Sequence, residues 1–172
     1  MATKATKPAA KKATGSARTD PATKLLMADH KEVHAMFQQY KKLADADAEA
    51  SEREALATEI CHALTIHATI EEELFYPAAR EAEVDADLLD EAEVEHASAK
   101  ELIAQIEAMS PDDDLYDAKL TVLGEYIDHH VKEEEGELFP KCRKSYMDLE
   151  GIGEALATRK QALTAEMAEM AA

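Results

Sequence analysis

The sequence is poor in the residues that interrupt helices or staple small domains. It has five glycines, five prolines, two cysteines, three phenylalanines and no tryptophan among 172 residues. So few breakers among abundant Ala, Leu, Glu and Lys point to an almost entirely helical chain. Cys61 and Cys142 are too few for a disulfide framework or a cysteine metal site, so a reducing, cytoplasmic setting is expected. No apolar run approaches the roughly 18 to 20 residues that a membrane span needs, which predicts a soluble protein. At this length, 46% hydrophobic content fills one sizeable core, hence one main domain.

Charge is present in excess but unevenly. The net charge is −18, yet residues 1–24 hold six basic residues against one acid, a net +5; the other 13 basic and 36 acidic residues leave −23 for the remainder. Residues 1–20 mix Ala, Thr and Lys with no apolar periodicity, which reads as a disordered basic tail. Such a tail suits weak contact with nucleic acid through phosphate neutralisation, or solubilises and docks on its own acidic body. No apolar segment follows its lysines, so a cleaved secretion signal is not expected.

The stretch His129-His130-Val131-Lys132-Glu133-Glu134-Glu135-Gly136-Glu137-Leu138-Phe139-Pro140 puts polar groups where a core face should run. Leu120, Leu123, Ile127, Val131 and Leu138 recur at helical spacing, and His130 and Glu134 continue their face. The four-residue step places both on one side of a helix, able to reach one ion. The same device occurs 63 residues earlier as His67, Glu71 and Pro77, matching His130, Glu134 and Pro140. A histidine after an acid precedes each copy, Asp29-His30 and Glu95-His96, 66 residues apart. The chain therefore reads as two helical hairpins, each giving one His and one His-x-x-x-Glu pair.

Helix signals divide the rest. Asp20-Pro21 opens a first helix to about Lys42; Ser51 with Glu54 has the capping-box pattern and opens a second, which Pro77 ends or kinks. A third begins around Val84 to Asp90, and Ser110-Pro111 starts a fourth. Gly151-Ile152-Gly153 reads as a break before a last amphipathic segment. The expected architecture is all-α: an antiparallel up-down four-helix bundle over residues 21–145, with an extra C-terminal helix over 146–172 that packs on the bundle or on a partner copy.

His30, His67, Glu71, His96, His130 and Glu134 would bring four imidazoles and two carboxylates inside one bundle. Buried carboxylates need a compensating charge, and metal ions supply it. A mixed nitrogen and oxygen set suits Fe, Mn or Zn; calcium or magnesium would want oxygen almost exclusively. Six donors exceed one tetrahedral site and match two ions bridged by carboxylates. His34, one turn after His30, and Tyr126, one turn before His130, are candidates for an extra ligand or a hydrogen bond to a bound species. His129 points about 100° from His130, toward solvent. His62 reads as structural. Glu72, Glu73, Glu133 and Glu135 read as a solvated acidic face or as attractors of cations.

These residues, Asp29-His30, His67 to Glu71, Glu95-His96 and His130-Val131-Lys132-Glu133-Glu134 ending in Phe139-Pro140, resemble the hemerythrin-like, or His-His-Glu cation-binding, domain over about residues 22–145. The resemblance implies a non-haem diiron centre, oxo- or hydroxo-bridged, that meets dioxygen or related oxidants. It implies His30, His67, His96 and His130 as iron ligands and Glu71 and Glu134 as bridging or terminal carboxylates. Oxygen carriers of the family have a fifth histidine one turn after the first on the third helix; Lys100 stands there in this sequence. The leading expectation is a diiron protein that binds O2, NO or peroxide as sensor, store or scavenger. Competing expectations are an oxidoreductase that consumes peroxide or NO, and an iron-handling protein tethered to nucleic acid by its tail.

Overall fold

Short polar side chains and left-handed residues close the turns that set the register of the molecule. In the computed structural model, which describes residues 20–170, the Asp20 carboxylate accepts from Thr23 N at 3.1 Å and Pro21 opens α1 (Pro21–Asp45). Asp47, at φ 48°, turns the chain after α1. α2 (Ala50–Ile70) then begins one residue before Ser51. The expected capping box is not made: Glu49 holds the cap position without a side-chain bond, and its carbonyl accepts from Glu52 N and Arg53 N at 3.0 and 3.2 Å. Asp85 caps α4 (Ala86–Glu107), which lies where its sequence signals placed it. α5 (Tyr116–Glu133) starts later than Ser110-Pro111 suggests, because Asp113 accepts from Ser110 N at 2.8 Å and holds that segment in a turn. The tail lies outside the described residues.

Pro77 and Pro140 neither end nor break their rods. Glu71–Phe75 and Glu134–Leu138 each widen into a single π turn, in which Tyr76 N bonds Glu71 O and Phe139 N bonds Glu134 O. Proline lacks an N–H and its ring crowds the carbonyl four residues back; the extra residue in the turn relieves both problems. The rods then continue as α3 (Tyr76–Glu81) and α6 (Phe139–Lys144). The next break is at Ser145–Asp148, and α7 runs from Leu149 to Met170, so Gly151 and Gly153 sit inside a helix rather than at its start. Gly153 instead permits close approach: a Cβ there would lie 2.7 Å from Pro21 Cγ and 2.8 Å from Ala22 N.

Two hydrophobic layers hold the rods together. One gathers Leu26 at the start of α1, Ile70 and Phe75 at the end of the second rod, Leu89 at the start of the third and Phe139 late in the fourth. The other gathers Tyr40, Leu56, Ile106 and Leu120 from the opposite ends, so successive rods alternate in direction. Burying each large side chain contributes roughly 1.5–3 kcal/mol. α7 packs across α1 and α2 and sends Leu156 into the first layer. Among the described residues there is no strand, and no helix is long and apolar enough to cross a membrane. Cys61 and Cys142 are buried free thiols, and burial pushes both up to about 12.

Candidate metal centre

Helical phase decides which polar residues turn inward. His30 lies between Leu26 and Val33 on α1, and His67 and Glu71 continue the row of Ile60 and Leu64 on α2. His96 lies between Ala92 and Ala99 on α4, and His130 and Glu134 continue Leu120 and Leu123 on α5. All six are buried, from 0% exposed for Glu71 to 6% for His30 and His67. They form a polar layer between the two hydrophobic ones.

Inside this layer the imidazoles pair across rods. His30 Nε2 lies 3.1 Å from His67 Nε2, and His96 Nε2 lies 3.2 Å from His130 Nε2. Each carboxylate spans the two pairs. Glu71 Oε2 is 3.2 Å from His67 Nε2 and 3.4 Å from His96 Nε2. Glu134 Oε2 is 3.3 Å from His30 Nε2 and 3.5 Å from His130 Nε2. Two cation-sized groups result, His30 with His67, Glu71 and Glu134, and His96 with His130 and Glu71, each with its donor atoms within 4.8 Å of one another. Glu71 belongs to both groups.

The outer nitrogens are braced. Nδ1 of His30, His67, His96 and His130 faces Glu135, Asp29, Glu72 and Glu95 at 2.9, 3.4, 3.0 and 2.7 Å. A carboxylate only accepts, so Nδ1 carries a proton and Nε2 is the atom each ring turns toward the centre, where it holds either a second proton or a cation. The braces cross over: Asp29, which precedes His30, serves His67, and Glu95, which precedes His96, serves His130. Glu72 and Glu135 are therefore not simply a solvated face, as expected from sequence. Each follows a centre glutamate and reaches the histidine of another rod.

The donor set fits a cation. Four Nε2 atoms converge, and Glu71 Oε1 and Glu134 Oε2 are buried without a hydrogen bond; the imidazole nitrogens 3.3 and 3.5 Å from Glu134 Oε2 lack bonding geometry. Burial disfavours the charged form of His67, but Glu71 and Asp29 outweigh it and raise the pKa to about 10. His130 is raised to about 9, with burial opposed by Glu134 and Glu95. Burial alone would raise Glu71; His67 and His96 reverse this and hold it well below the carboxylate range. The layer demands positive charge, which protons or a metal would supply.

The family model for the hemerythrin HHE cation binding domain matches residues 22–142. The chain belongs to this HHE family. Its fold is similar to the crystal structure of an HHE cation binding domain-containing protein from Mycobacterium kansasii, with a TM-score of 0.70 and 24% identity over 84% of this chain and 88% of that one. A curated relative, a protein named DNA nickase from Nostoc sp. (strain PCC 7120), is 29% identical over 117 residues, 68% of this chain. The chain spans about a third of that relative's length, as the match covers 32% of it.

One residue of this HHE site was not singled out from sequence. Tyr76 is 1% exposed, and its hydroxyl donates to Glu134 Oε1 at 2.9 Å while lying 3.3 Å from His96 Nε2. Five α-helical residues after Glu71 would turn it about 140° away; the π turn brings it back. Its counterpart in the second copy is Phe139, whose ring stacks on His30 at 5.8 Å and 7°. The repeated position next to Pro77 and Pro140 was the available signal.

The other candidates lie outside the cluster. His34 is exposed and pairs with Asp128 and Gln38, and Tyr126 is 49% exposed. Both sit on rod surfaces, because their phase carries them off the inward row. Lys100 binds Glu72 Oε1 at 2.7 Å, so it supports the brace of His96 instead of entering the layer. His129 faces outward between Glu95 and Glu133, at 3.5 and 3.4 Å. Glu73 pairs with Arg159 on α7.

Proposed function

We propose that this HHE domain is a non-haem diiron protein that binds O2, NO or peroxide. The observation that carries the reading is a cavity of about 30 Å3 beside the four imidazoles, walled by Val33, Leu64, Ala99 and Ile103. That space suits a water or a ligand of two heavy atoms. His30 and His67 would hold one iron, His96 and His130 the other, with Glu71 and Glu134 between them. The iron pair would supply electrons to a small oxidant.

The chain supplies the remainder. Four neutral imidazoles keep the negative charge of the ligand set modest, which favours the ferrous pair. The braces fix each Nε2 toward the centre. The apolar wall excludes bulk water, and Tyr76 holds an O–H proton at Glu134 Oε1. Mn or Zn suit the same donors.

Anaerobic reconstitution with ferrous iron should give two irons per chain, and O2 should then produce a reversible charge-transfer band. Catalytic loss of peroxide or NO would favour the oxidoreductase reading. Fewer than one iron per chain, or unchanged iron in His67→Ala and His130→Ala, would remove the diiron reading.

A second reading concerns residues 1–20. Their positive charge, with a relative named DNA nickase, supports weak nucleic-acid contact. Salt-sensitive DNA binding should then disappear on deletion of 1–20; binding that survives would refute it.

A further inference from the structure

The family match ends at residue 142, before α7 begins. Yet α7 reaches the metal layer. Lys160 Nζ lies 2.6 Å from Asp29 Oδ1, and the other oxygen of the same carboxylate braces His67 Nδ1. Asp29 is 7% exposed, so its charge is held in a dry setting where a cation at bonding distance matters. We propose that α7 is a working part of the metal centre: Lys160 positions Asp29, and through it His67, and so tunes the metal position that His67 faces. This rests on the cation-binding reading of the layer.

The placement of Lys160 is over-determined. Gly153 lets α7 approach Pro21 and Ala22, Leu156 is fully buried, and Lys160 falls one helical turn further along the same face. Arg159, on the adjacent face, forms a fork on Glu73 through bonds of 2.7 and 3.1 Å. Asp29 therefore cannot turn without losing Lys160, and His67 cannot tilt without losing Asp29.

The device has a counterpart. Lys100 holds Glu72, the brace of His96, as Lys160 holds Asp29. His67 and His96 belong to different imidazole pairs, so each metal position has one histidine whose brace is neutralised by a lysine. The two lysines come from unrelated places in the chain, one on α4 and one on α7. An unneutralised carboxylate pulls the Nδ1 proton harder and makes Nε2 a stronger donor, which favours the ferric state. Lys160 moderates that pull while fixing the ring.

Full-length protein would be loaded with zinc against a competing chelator, and separately with iron for potentiometry. Lys160→Met frees Asp29 to turn; that loss of positioning outweighs the stronger donor and should weaken zinc binding by up to about ten-fold, the lower end of the range for a lost brace. It should also move the His67 Nδ1 proton resonance of the zinc form and lower the iron midpoint potential. Lys160→Arg should restore all three. Arg159→Met removes another α7 clip without touching a brace, and should leave all three at wild-type values. Lys160→Met indistinguishable from wild type, or Arg159→Met reproducing its effects, would overturn the proposal. Wild-type protein that takes up neither metal would overturn the cation-binding reading and this one together.

Discussion

Tyr76 donates a hydroxyl hydrogen bond to Glu134 Oε1 at 2.9 Å, whereas Phe139, at the matching place in the repeat, has only a ring to lay on His30. The two halves of the repeat therefore supply the same residue types to the centre, one His and one His-x-x-x-Glu pair each, but differ by one hydroxyl at this position. Removing it leaves a buried carboxylate oxygen without this donor. Tyr76→Phe should keep the metal content of the unsubstituted protein yet destabilise the metal-free protein by about 1–3 kcal/mol. Urea unfolding checks this, and an unchanged midpoint would deny the hydroxyl a structural role.

Acidic residues that look alike in sequence should separate by function. Glu72→Gln and Glu135→Gln each weaken a brace and should cost about 10–100-fold in metal affinity. Glu73→Gln and Glu133→Gln, which face Arg159 and His129, should cost little. Chelator competition across the four variants decides the matter.

The metal-free protein should have an unusual pH profile. His67 and His130 are raised to about 10 and about 9, so their stabilisation is complete below their ordinary value of 6.5 and is lost as pH rises through those values. Glu71 is lowered, so its contribution is present above 4.5 and lost as pH falls through its depressed value. Stability without metal should decline from about pH 6.5 to pH 10, because the unfolded chain releases those protons first. Metal displaces the same protons, so its stabilising increment should grow as pH rises toward about 9 to 10, where those protons are lost without it. Unfolding midpoints with and without zinc test both signs.

Gly153→Ala should destabilise the protein by about 1–3 kcal/mol through overpacking against the Pro21 ring and the Ala22 backbone. Gly136→Ala, where a Cβ meets nothing within 4 Å, is the matched control. Equal unfolding midpoints for the two variants would contradict the close approach of α7.

Much of the centre is legible in the sequence because one physical rule, the 3.6-residue repeat, decides which side chains turn inward. His30, His67, Glu71, His96, His130 and Glu134 all obey it, and the structure brings them together. Tyr76 escapes because a π turn changes the phase between it and Glu71. Glu72 and Glu135 escape because a brace is defined by the neighbouring rod, and single-helix periodicity carries no inter-rod register. The late start of α5 escapes because Asp113 competes for the Ser110 N–H, an outcome that the Ser-Pro signal does not contain.

The two hydrophobic layers on either side of the polar one are each anchored by side chains of their own, Phe75 and Phe139 on one side and Ile60 and Leu120 on the other. The first layer touches the central groups through Phe139 on His30 and Tyr76 on Glu134, but the apolar contacts of both layers are made among their own side chains. Metal uptake is then a local filling event in a scaffold already assembled, unlike a small zinc domain whose folding waits for its ion. Chelation should empty the protein without melting its helices, and reloading should need no refolding step.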